Sequence, residues 1–215
     1  MRSGQAKVGL VVVAGMLVWL AGTAAAGTMV VLPRPGQVGL SVGGSYGTLL
    51  KSGDVGEQFG SGPGMYVRMR YRARYERGWG LTFESHGLDL RDLETVRDYW
   101  NKDSVRVANH PYAYKKATIF LYGVDFYQMF ATRTKTPMML SAGAGVAHPA
   151  FTVNDGETQY PMSDGPYVAV GAGVERFFWR SMAFDFGARY AAIFVGDKLS
   201  HDVHASVGII YYASL

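Results

Sequence analysis

A period of two runs through most of the chain. In residues 65–75, Met65, Val67, Met69, Tyr71, Ala73 and Tyr75 alternate with Arg68, Arg70, Arg72 and Arg74. Successive side chains of a β-strand point to opposite faces, so this segment presents one oily face and one cationic face. Residues 181–194 repeat the arrangement, with Met182, Phe184, Phe186, Ala188, Tyr190, Ala192 and Phe194 set against Asp185, Gly187 and Arg189. Residues 118–131 do so again, with Phe120, Tyr122, Val124, Phe126 and Phe130 set against Gly123 and Asp125. Weaker alternations at 38–46, 79–84, 138–146, 168–175 and 203–211 bring the predicted strands to eight.

The predicted connections alternate in length. Long ones fall at 48–64, 87–117, 149–166 and 195–202, and short ones at 76–78, 132–137 and 176–180. An even number of antiparallel strands then collects every long loop at one end and every short turn at the other. The reading is all-β: an eight-stranded antiparallel up-and-down transmembrane β-barrel with long extracellular loops and short periplasmic turns. Most of the runs reach the roughly 9–11 residues that a tilted strand needs to cross a bilayer. Within the second hairpin, setting Tyr75 opposite Trp79 puts Tyr71 against Phe83 and Ala73 against Leu81. The same register puts Arg70 opposite Glu84 and predicts a cross-strand ion pair.

Alternation alone leaves open which face is inside. A lipocalin-like soluble barrel lines its cavity with the apolar face, whereas a membrane barrel turns that face outward. Four features favour the second arrangement. Several polar faces carry Gly, Ser and Ala, which suits a narrow lumen better than a solvated exterior. Arginine replaces lysine throughout the strand cores, and arginine is the better residue for buried bidentate pairing. Arg68, Arg70, Arg72, Arg74 and Arg189 are nearly matched by Glu84, Asp125, Glu175 and Asp185, so a lumen charge network is expected. Tyr75, Trp79, Phe130, Phe177, Phe178, Trp179 and Tyr211 fall near the short-turn ends, where an aromatic girdle would meet the periplasmic membrane interface. Arg176 and Arg180 flank this group and could reach headgroups.

Composition narrows the reading further. The chain has 215 residues, a mean hydropathy of +0.02 and 18% charged residues, which argues against helical membrane bundles, disorder and coiled coils alike. The 28 Gly, 14 Tyr and 11 Phe fit strands with small and aromatic faces. The absence of Cys excludes a disulfide framework, thiol catalysis and Cys-ligated metal. Arg2 and Lys7, an uncharged run over 8–20 and Ala24-Ala25-Ala26 follow the order of a secretory signal. The expected division is 1–26 signal peptide, 27–36 periplasmic N-terminal segment and 37–215 barrel. Without residues 1–26 the chain retains 19 basic and 17 acidic residues, a charge of +2, which offers no support for nucleic-acid binding.

With these segments in view, GVERFFWRSMAFDFGARY among them, the chain from about Gln37 to Leu215 resembles the small eight-stranded outer-membrane proteins of Gram-negative bacteria, the OmpA-, OmpX- and OmpW-type barrels. The resemblance implies export through the general secretory pathway, insertion by the outer-membrane assembly machinery, contact with lipid and lipopolysaccharide, and a monomer. It also implies an aromatic last residue, whereas this sequence ends YYASL.

An eight-stranded barrel is just wide enough for side chains to fill, so the inner charges read as a structural network ahead of an anion path. Extracellular loops are then the surface for binding or adhesion. In loop 87–117, Leu90, Leu93, Val96 or Arg97, and Trp100 follow helical spacing, although a polar loop with one turn accounts for them as well. Lys115 and Lys116 could meet lipopolysaccharide phosphates or be ordinary solvated lysines. No enzyme is expected. His204-Ala205-Ser206 resembles the His-x-Ser of outer-membrane lipid A deacylases, but no acid follows it in the nine remaining residues. His86, His110, His148, His201 and His204 show no metal-binding spacing, and no cofactor is expected. A narrow pore for small, possibly anionic solutes and a soluble periplasmic lipid-binding barrel stand as alternatives.

Overall fold

The computed structural model describes residues 32–50, 56, 59–89, 116–152, 159–161, 164–195 and 198–214. The proposed signal, the segment with helical spacing in 90–100, His110 and Lys115 lie outside the described residues, as does the side chain of Lys116.

The chain folds into β1 (Gln37–Leu49), β2 (Ser61–Arg72), β3 (Arg77–Asp89), β4 (Lys116–Phe130), β5 (Met138–Thr152), β6 (Gln159–Pro161), β7 (Gly165–Trp179), β8 (Met182–Val195) and β9 (Lys198–Ser214). Sheet order is β4-β3-β2-β1-β9-β8-β7-β5, and β4 also pairs with β5, which closes an eight-stranded antiparallel barrel. The three-residue β6 pairs with the upper end of β5, on the edge that β7 occupies lower down, and so lengthens the wall there. β1 pairs with β9 from Gln37↔Ser214 to Leu49↔Asp202, so neither terminal strand leaves an open edge.

Several boundaries differ from the sequence expectation. β2 ends at Arg72 and β3 starts at Arg77, which leaves 73–76 as the turn, with the Arg74 amide donating to the Arg77 carbonyl at 2.9 Å. The register is Tyr71↔Trp79, Met69↔Leu81 and Val67↔Phe83, four residues away from the expected one. An even slip preserves both faces, which is why facial matching could not detect it. Arg70 and Arg72 lie opposite Gly80 and Gly78, and a Cβ built on Gly80 would come within 2.1 Å of the Met69 carbonyl oxygen. The expected Arg70–Glu84 pair is therefore absent, and Glu84 pairs diagonally with Arg68.

The fourth long connection is also corrected. β8 and β9 remain paired through Val195↔Lys198, so only residues 196 and 197 separate them instead of 195–202. At the opposite end β7 continues to Trp179 and the connection contracts to Arg180 and Ser181, with Arg180 in the left-handed region at φ 38°. A register shift between Phe177 and Trp179 interrupts the alternation there. Phe177 keeps the inward phase of Glu175, contrary to its expected place among the interface aromatics, and the shift after it leaves Phe178 and Trp179 both outside.

Outward-facing positions carry a broad apolar belt that includes Leu40, Val42, Met65, Leu81, Phe126, Leu140, Val170 and Ile209. Phe126, the most exposed large apolar residue among those described, keeps 67% of its surface accessible. The arrangement is the reverse of a lipocalin-like barrel, whose oily face turns inward.

Candidate functional site: the lumen

The inner face of β2 supplies three guanidiniums in a row, because Arg68, Arg70 and Arg72 are two residues apart on one face. All three are buried, and each lies over a tyrosine ring: Arg68 over Tyr66 at 4.1 Å, Arg70 over Tyr127 at 4.5 Å and Arg72 over Tyr212 at 4.9 Å. Planar, weakly hydrated guanidiniums tolerate such stacking better than ammonium groups do.

Carboxylates from the other strands complete the layer. Glu175 on β7 accepts from Arg70, from Arg72 at 3.0 Å and from the Tyr212 hydroxyl at 2.6 Å. Asp185 on β8 accepts from Ser41 at 2.8 Å and lies 3.5 Å from Arg70. Asp125 on β4 takes a two-pronged contact from Arg189 at 2.7 and 2.8 Å, together with the hydroxyls of Thr82 and Tyr127. Arg68 donates twice to Glu84 Oε1, at 3.1 Å from Nε and 2.5 Å from Nη2. Charge-assisted bonds of this kind offset the desolvation that buried ions suffer.

The structure thus brings Arg68, Arg70, Arg72, Glu84, Asp125, Glu175, Asp185 and Arg189 together inside the barrel. Arg74 does not join them: the turn at 73–76 leaves it exposed. Asp202 enters in its place, buried beside His204 with 2.8 Å between its Oδ2 and Nδ1. Buried charges are therefore four guanidiniums and five carboxylates among the described residues. Sequence reasoning missed Asp202, His86 and the inward tyrosines. All share the phase of the polar face, a signal obscured because tyrosine counted as an outward residue and because β3 faded to the eye after Glu84.

Apolar layers close the lumen above and below these charges. At the loop end, Leu49, Phe59, Leu88, Ile119, Leu121, Ile193 and Val195 form one buried cluster. At the turn end, Phe177, Ala183, Ile210 and Tyr212 form another, with Leu32 packed against it, and Tyr127, Met129 and Met139 form a third. A cavity of about 20 Å³ bordered by Arg68, Arg70, Asp185, Arg189 and Ser206 has room for a water or two.

Solved structures place this architecture. Neisserial surface protein A is similar over 81% of this chain and 96% of its own, at 13% identity and a TM-score of 0.58. OprG, an outer membrane protein of Pseudomonas aeruginosa, is similar over 87% of this chain and all of its own, at 13% identity and a TM-score of 0.50. The fold is that of the eight-stranded outer-membrane barrels. No protein-family model matches the sequence, and no curated protein matches it either.

The remaining expected site residues lie at the turn end. Tyr75 sits in the 73–76 turn, Trp79 near the start of β3, Phe130 at the end of β4, Phe178 and Trp179 at the end of β7, and Tyr211 near the end of β9. All six side chains are on the outside. Arg180 lies 5.5 Å from the Trp179 ring, and Arg133 6.0 Å from that of Tyr75. His204 and Ser206 both face inward, but Asp202 and Glu84 surround the imidazole and no hydrogen bond joins it to Ser206. That arrangement gives the serine no base.

Proposed function

We propose that the chain is a non-enzymatic, non-conducting barrel of the Gram-negative outer membrane, monomeric, with its activity at the loop end. Residues 1–26 would direct export through the general secretory pathway, and the outer-membrane insertion machinery would assemble the strands. The reading rests above all on one contrast: among the described residues, buried ion pairs occupy the lumen between apolar clusters toward either end, while the exterior carries the apolar belt. In such a chain the side facing water is reduced to the rims. The outward Tyr75, Trp79, Phe130, Phe178, Trp179 and Tyr211 would then form the periplasmic girdle, where amphipathic rings meet headgroups. The loops between β1 and β2, β3 and β4, and β5 and β7 would meet lipopolysaccharide and an extracellular ligand in a structural or adhesive role.

Membrane fractionation combined with boiled and unboiled gel migration tests the location. The expected result is detergent-dependent extraction and a faster unboiled band; a detergent-free soluble monomer would refute it. Planar-bilayer recording separates the closed lumen from a narrow solute pore, since the filled barrel should give no steady current.

A further inference from the structure

We infer that Glu84, His86 and His204 form a binding site for a divalent transition-metal ion of the zinc type, held across the lumen. The three residues belong to strands that are not neighbours: Glu84 and His86 are on β3 and His204 on β9, with β2 and β1 between them in the sheet. All three are buried, and one ligand atom from each lies within 4.8 Å of the others.

Three donor atoms converge without hydrogen bonds of their own. Glu84 Oε2, His86 Nε2 and His204 Nε2 make no hydrogen bond, yet Oε2 stands 3.7 Å from the first imidazole nitrogen and 3.5 Å from the second. Ligands about 2.0–2.1 Å from a tetrahedral ion stand about 3.3–3.4 Å from one another, so small side-chain movements seat the ion. Two imidazoles with one carboxylate suit zinc and its neighbours better than calcium or magnesium, which take oxygen donors.

The surroundings orient these donors. With His204 neutral and its proton on Nδ1, Asp202 Oδ2 at 2.8 Å accepts the hydrogen bond from Nδ1–H and Nε2 keeps a lone pair toward Glu84. A carboxylate behind a ligating histidine is the usual support at such centres. Arg68 occupies Glu84 Oε1 and leaves Oε2 to the ion. The imidazole rings lie 4.6 Å apart. Gly47 makes room, since a Cβ there would fall 2.8 Å from the His204 Cβ. Arg189 Nε is 4.0 Å from Glu84 Oε2 and opposes a cation, but among the described residues four buried guanidiniums face five buried carboxylates, an excess of one negative charge that a cation would offset. The spacing of histidines along the sequence could not disclose the site, because its ligands meet only when the barrel closes. Once bound, the ion would tie β3 to β9 across the cross-section and stabilise the closed ring.

The test uses tag-free full-length barrel refolded in detergent, loaded with Co²⁺ or Zn²⁺ and freed of excess metal. About one equivalent should remain per folded chain, with the visible spectrum of tetrahedral Co²⁺ and a higher heat-unfolding midpoint than the chelator-treated sample. His86→Gln and His204→Gln should each lose the bound metal and the midpoint shift while still showing heat-modifiable migration. His148→Gln and His201→Gln, outside the cluster, should keep both. X-ray absorption at the zinc edge of the unsubstituted protein should find two imidazoles in the first shell, a result independent of whether any variant folds. Folded protein that retains no metal, or metal retained undiminished in folded His204→Gln, or a zinc edge without imidazole scattering, would overturn the proposal.

Discussion

At mid-depth the lumen is built from guanidiniums, carboxylates and phenols, whereas toward the loops it is built from Leu49, Leu88, Ile119, Leu121, Ile193 and Val195. Both layers are buried to a similar degree, but burial means opposite things in them. The aliphatic layer gains from leaving water, about 25 cal/mol for each Å² of apolar surface removed. The charged layer loses hydration and recovers it only through complete pairing, which makes every member depend on the others. Filling an inner space of fixed width therefore tolerates two chemistries, one forgiving of small losses and one not.

Breaking the least redundant part of the charged layer should have the largest effect. Glu175→Gln removes the carboxylate shared by Arg70, Arg72 and Tyr212, and should cost about 3–5 kcal/mol, read as a lower urea midpoint for the faster unboiled band. Leu121→Ala in the apolar layer should cost less, about 2–4 kcal/mol, through a cavity that the neighbours partly close. If Leu121→Ala proves the more damaging of the two, the contrast between the layers is wrong. Replacing both partners of one pair, Asp125→Leu with Arg189→Met, should leave stability within about 1–2 kcal/mol of the parent, well short of what either single change costs. Additive losses in that double-mutant cycle would mean that the two charges act separately. Arg74→Ala should change stability by no more than about 0.5 kcal/mol, because the turn holds Arg74 outside the network; a loss comparable to that of Glu175→Gln would place it inside.

Much of the architecture was legible because a period of two separates strands from helices and fixes the face of each residue. Face, however, is a property of parity. Parity could not distinguish Arg70 opposite Glu84 from Arg70 opposite Gly80, and it missed where β2 stops, which decides whether Arg74 is in or out. The apolar loop-end layer was hidden for a related reason. Ala117, Ile119 and Leu121 point inward beside the outward Phe120 and Tyr122, so the upper part of β4 is apolar on both faces and loses its contrast. Phe177 was misplaced although it shares the inward parity of Glu175; the bulge after it acts on Trp179, turning it outward against parity, and nothing in FFWR announces it. The convergence of Glu84, His86 and His204 was illegible from spacing, since it depends on β2 and β1 bringing β3 around to β9.

The tight join between β8 and β9 bears on the order in which the ring can form. Two residues separate strands that pair along 14 successive positions, so this hairpin closes with little loss of chain entropy and has the most local contacts available to the C-terminal part of the chain. The β1–β9 seam lies at the other extreme, joining residues as far apart as Gln37 and Ser214, which are 177 positions distant in sequence. Loop closure of that length is slow to be rewarded, because none of its contacts forms until the intervening strands are in place. The strand that receives β1 is thus ready early, and the cylinder waits on its first strand to become a cylinder at all.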